Sequence, residues 1–81
     1  MKILLDGNKY SNKLEILKLF QFHLKEMYSL NYDALIDVLS ELKEPIEIEI
    51  INYQNIQNFN EFKDVLDIIC NDNSNIKYIY K

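Results

Sequence analysis

Asp33 and Asp37 stand four residues apart in the stretch NYDALIDVLSEL, residues 31–42, and Glu41 follows at the same spacing. Paired carboxylates can divide acid and base roles, but only where burial drives their pKa values apart. On a helix these three instead form an exposed convex ridge, suited to attracting cationic groups. The other reactive residue types occur singly. His23 is the sole histidine and Cys70 the sole cysteine. Neither a histidine-based triad or metal cluster, nor a thiolate zinc site, nor a disulfide can be built from them within one chain. Both read as ordinary boundary residues. Asn71, Asp72, Asn73 and Asn75 are spaced somewhat like a calcium loop, yet the loop's glycine and terminal bidentate glutamate are missing. A turn is the simpler reading.

The ridge stands out because of what surrounds it. Residues 31–50 hold six acids against Lys43 alone, a charge of −5, whereas the remaining seven acids and eight lysines sum to +1. The net charge of −4 therefore belongs to one stretch. No lysine lies three or four residues from Asp33, Asp37 or Glu41, and like charges at this spacing each cost a helix about 0.2–0.5 kcal/mol. Glu15 and Lys18 have the spacing of a compensating pair, a device expected in the first helix and absent here. A charge run is commonly no more than a solvated face, and Asp33 in a first turn favours the helix dipole. The chain also lacks arginine, the side chain best suited to phosphate and base recognition, which argues against direct nucleic-acid binding.

Eighty-one residues with 48% hydrophobic content, one glycine and one proline describe a single ordered domain, residues 1–81, with little room for both a core and an enclosed catalytic pocket. A binding module without catalysis or cofactor is the expectation. No apolar run approaches the roughly 20 residues needed to cross a bilayer, and the opening MKILLDG is too short for a signal peptide. Cytoplasmic residence without membrane attachment follows as an expectation, as a monomer when free.

The elements that must carry the ridge are marked by their periods. Residues 2–5 read as a buried strand ending at Asp6-Gly7, and Ser11 is placed to cap a helix over 12–26. Leu14, Leu17, Phe20 and Leu24, with Ile16 and Leu19, give that helix a wide apolar arc. Asn31 is a plausible N-cap for the next helix, whose Leu35, Val38, Leu39 and Leu42 form a core stripe, and Glu44-Pro45 ends it. Ile46, Ile48 and Ile50 alternate with Glu47 and Glu49 as a strand with one polar side. A polar connection over 52–57 leads to a helix that Asn58 and Glu61 would open as a capping-box variant, with Phe62, Val65, Leu66 and Ile69 facing the core. A turn over 71–74 precedes a strand over 75–80. The order β-α-α-β-α-β predicts an α/β fold: a three-stranded parallel sheet packed with helices through right-handed crossovers.

Residues 28–39, Tyr28-Ser29-Leu30-Asn31-Tyr32-Asp33-Ala34-Leu35-Ile36-Asp37-Val38-Leu39, resemble the signature of the barstar family, aromatic-Gly-x-Asn-x-Asp-Ala-Leu-x-Asp-x-Leu. Asn31, Asp33, Ala34, Leu35, Asp37 and Leu39 match in register. A fainter likeness extends from the first strand with its Gly7, through Pro45, to the closing helix and strand. The family consists of small inhibitors that plug the active site of a microbial ribonuclease. The resemblance implies that Asp33 and Asp37 are contact carboxylates, with Asp37 entering the nuclease pocket in place of an RNA phosphate. It puts Asn31 and Tyr32 at the contact edge, Ser40 and Glu41 along the same face, and Tyr28 in the preceding loop. The family's acidic contact from the last helix falls on Asn71, beside Asp72. Ser29 replaces the family's loop glycine, the loop is shorter and lacks its proline, and Ile36 stands at the usual tryptophan position, so loop contacts are expected to differ. The expected partner is a basic microbial ribonuclease. The alternative is an antitoxin or regulatory adaptor binding a basic protein that is not a nuclease.

Overall fold

Ile46, Ile48 and Ile50 alternate with Glu47 and Glu49. In the computed structural model, which describes residues 1–27 and 29–81, this segment is the central strand of a three-stranded parallel sheet. The central strand β2 spans Ile46–Ile51, with β1, Lys2–Asp6, on one side and β3, Ile76–Tyr80, on the other. Three helices connect them: α1 over Lys13–Leu24, α2 over Tyr32–Glu41 and α3 over Phe59–Asp72. A single 3-10 turn, Tyr53–Asn55, follows β2. The chain order is β1-α1-α2-β2-α3-β3, as the alternation of periods predicts.

Register aligns the apolar rows. Ile3 pairs with Ile48 and Ile48 with Tyr78, while Leu5, Ile50 and Tyr80 form the next row. Ile3, Leu5, Ile46, Ile48, Ile50 and Ile76 are buried among helix residues including Ile16, Leu17, Phe20, Leu35, Leu39, Phe62, Leu66 and Ile69. The strand order runs in one direction from β1 to β3, so two successive crossovers of like hand put all three helices on that face. The opposite face carries Lys2, Leu4, Glu47, Glu49, Lys77 and Ile79. Lys2 Nζ lies 3.8 Å from Glu47 and 3.2 Å from Glu49 there, so the acidic side of β2 is answered by a cation. Gly7 closes the end of β1, where a Cβ would overlap the Asn52 carbonyl and crowd Ile56.

Several local expectations are corrected. The N-cap of α1 is Asn12, whose side chain accepts from the Glu15 amide at 3.0 Å, and Ser11 instead donates its N–H and hydroxyl to Glu15 Oε1. Glu15 forms no ion pair with Lys18; the one i,i+4 pair among the described residues is Lys63–Asp67 in α3, at 2.8 Å. The first helix stops at Leu24 because Lys25 adopts the left-handed conformation, φ 61. Leu14, expected in the apolar arc, is half exposed. Asn58 also lies in the left-handed region, φ 53, and its side chain makes no cap bond, so the capping box with Glu61 does not form. The last helix runs on through Asp72, which moves the turn to 73–75. No helix of the described residues is long and apolar enough to cross a membrane.

Candidate functional site: the acidic face of the second helix

Helix α2 is fastened at both ends. At its start Asn31, in extended conformation, accepts the Ala34 amide on its side-chain oxygen at 2.7 Å, satisfying one of the donors a helix leaves open. At its finish the chain turns extended at Leu42, and Asn73 closes the open end. Its Nδ2 donates to the carbonyls of Leu39 at 2.8 Å and Leu42 at 2.7 Å. Asn75 adds a bond to the Lys43 carbonyl at 3.2 Å. The asparagines that look like a turn or a fragment of a calcium loop thus clamp the acidic helix to the end of α3. Spacing within 71–75 carries no sign of partners more than thirty residues away.

Leu35 and Leu39 are fully buried, with Val38 and Leu42 half-buried beside them, and this anchoring directs Asp33, Asp37 and Glu41 to solvent. Among the described residues the ion pairs are Lys2 with Glu47 and Glu49, Lys13 with Glu61, and Lys63 with Asp67; none involves the ridge. Lys13 is drawn elsewhere. Its Nζ lies 4.5 Å from the centre of the Tyr32 ring and 3.5 Å from Glu61. The three carboxylates therefore keep their charge uncompensated by any described cation within 4 Å.

The ridge is also less convex than spacing suggests. Asp37, Val38, Glu41 and Leu42 line a shallow depression of about 270 Å³, and Glu26, from the connection after α1, forms part of its wall. Glu26 falls inside the helix expected over 12–26, but the left-handed turn at Lys25 ends that helix at Leu24 and leaves Glu26 in the connection. Three carboxylates converge on a hollow with two apolar side chains at its side, an arrangement able to accept hydrogen bonds from a guanidinium or ammonium group while packing its aliphatic stem.

The remaining expected contact residues are distributed as follows. Asn31 is exposed at the helix start, with its side-chain oxygen engaged in the cap. Tyr32 is half-buried; its ring packs 6.0 Å from Phe62, and burial together with nearby Glu61 pushes its hydroxyl up to about 12. Its ring is thus part of the joint between α1, α2 and α3. Ser40 is half-buried, and its hydroxyl finds no partner among the described residues. Asn71 is exposed in the last turn of α3. Tyr28 lies outside the described residues.

No protein-family model matches the chain. No curated protein matches it either.

Proposed function

We propose that this chain is a cytoplasmic inhibitor of a basic microbial ribonuclease, which it binds through the acidic face of α2 and the loop before it. The carrying observation is the exposed row Asp33, Asp37 and Glu41, with no cation of the described residues within 4 Å, in register with Asn31, Ala34, Leu35 and Leu39. The likeness of residues 28–39 to the barstar signature, and the parallel α/β scaffold behind it, support the same reading. Inhibition is by occlusion: Asp37 enters a pocket that otherwise holds a phosphate, and Asp33 and Glu41 meet the basic residues around it. Neither catalysis nor a cofactor takes part. Opposite charge speeds the encounter and penalises acidic competitors.

The second reading, an antitoxin or regulatory adaptor for a basic protein without nuclease activity, draws on Ser29, Ile36 and Asn71, where the chain departs from the family signature. Capture of the native partner on the immobilised chain, followed by an RNA-cleavage assay, separates the two. A captured nuclease that loses activity supports inhibition. A partner without nuclease activity, or a nuclease that remains fully active in the complex, overturns it.

A further inference from the structure

A second surface lies on α1. Leu14, Lys18 and Phe22 follow at i, i+4 and i+8 along its outward side, and Phe22, at 74% exposed, is the most open of the large apolar residues described. Beside this row runs a groove of about 390 Å³ lined by Lys9, Tyr10, Glu15, Lys18, Leu19 and Phe22. Its walls are aromatic and aliphatic carbon, and its volume falls at the lower end of small-ligand clefts, roughly 300–1,000 Å³. Two lysines and one glutamate supply its charged groups. Neither Lys9 nor Lys18 has a carboxylate within 4 Å among the described residues. The one acid of the groove, Glu15, is engaged at its Oε1 by the Ser11 amide and hydroxyl, at 3.1 and 3.3 Å.

We propose that this groove binds a small amphiphilic anion, a medium-chain carboxylate whose tail lies along Tyr10, Leu19 and Phe22 and whose head meets Lys9 and Lys18. Apolar walls favour a hydrocarbon body, and two lysines without a close ion pair in the lining, against one hydrogen-bonded glutamate, favour a negative head over a neutral or positive one. The site lies on a different helix from the acidic ridge and stands independently of the function proposed for it.

The test is an amide-resolved NMR titration of the full chain at fixed ionic strength with octanoate, 1-octanol and acetate. The expected result is saturable binding of octanoate, with Kd on the order of 1 mM, and shifts centred on Tyr10, Leu19 and Phe22. Octanol should bind several-fold more weakly, and acetate should not saturate. Replacing Lys9→Gln and Lys18→Gln together should weaken octanoate by about tenfold, at two- to fivefold per exposed charge, and leave octanol unchanged. Equal binding of octanoate and octanol, shifts scattered over the molecule, or no saturation at all would overturn the proposal. So would shifts of the same amides on raising protein concentration alone, which would make a second copy of the chain the occupant.

Discussion

Asp37 stands where its charge contributes nothing to the fold. It is exposed, it has no cationic partner among the described residues, and Asp33 and Glu41 flank it at the like-charge spacing. Asp37→Ala relieves both like-charge pairs and should therefore leave thermal stability unchanged or raise it by about 0.4–1 kcal/mol. The same change should weaken binding of the captured partner by about 2–5 kcal/mol, the range for removing one member of a close charge pair in an interface. Calorimetric titration beside a melting curve reads both, and equal binding by the variant removes the pocket role. Tyr32 answers to pH instead. Its hydroxyl is held up to about 12 by burial and Glu61, and burial and the bond to Asp67 likewise raise Tyr78. A raised folded pKa gives a contribution fully present below the ordinary tyrosine value near 10 and lost as pH climbs through the folded value. Stability should fall between about pH 10 and 12, and Tyr32→Phe should flatten that fall; an unchanged slope in denaturant titrations would contradict it. The ridge was legible from spacing because a helix repeats every 3.6 residues. Tyr32 was not, since its burial depends on Phe62 and Lys13 from two other elements.

At the scale of elements, the position of α2 rests on asparagines. Asn73→Ala removes two donors from the carbonyls of Leu39 and Leu42, and should destabilise by about 1–2 kcal/mol. Amide hydrogen exchange should show faster exchange in the last turn of α2, with partner binding affected far less than by Asp37→Ala. Unchanged exchange there would mean that the clamp does not hold the helix. Gly7→Ala tests a different joint. The new methyl overlaps the Asn52 carbonyl at the end of β1, so strain of about 1–3 kcal/mol is expected, measurable as a lower denaturant midpoint. Element types were readable because β2 alternates with period two and α2 carries a helical stripe. Element ends were less so. Ser11 and Asn12 are adjacent and both able to cap, and the left-handed turns at Lys25 and Asn58 occur at residues other than glycine, which no pattern in the chain announces.

On the scale of the whole molecule, the sheet is covered on one face by helices, and α2 is held against α1 and α3 with its acidic side outward. Of the acids in residues 31–50, Glu47 and Glu49 lie on the outer sheet face against Lys2, so the uncompensated charge a partner would meet is that of Asp33, Asp37 and Glu41 on α2. Association with a basic partner should slow as ionic strength rises from low salt past 0.15 M, where the screening length is about 8 Å, while dissociation changes less. A salt-independent association rate, measured by stopped flow, would contradict electrostatic steering. Fold class was legible at this scale because alternating element types leave few topologies open. The hollow at Glu26, Asp37 and Glu41 was not, because it exists only once the connection after α1 has folded back beside α2. The most direct measurement of the central claim is RNA cleavage by the captured partner, titrated with this chain and with Asp37→Ala. Activity falling to zero at one equivalent of the natural chain, with the variant needing a large excess, is the predicted result. Cleavage that is absent from the partner, undiminished by the chain, or equally inhibited by both forms would contradict it.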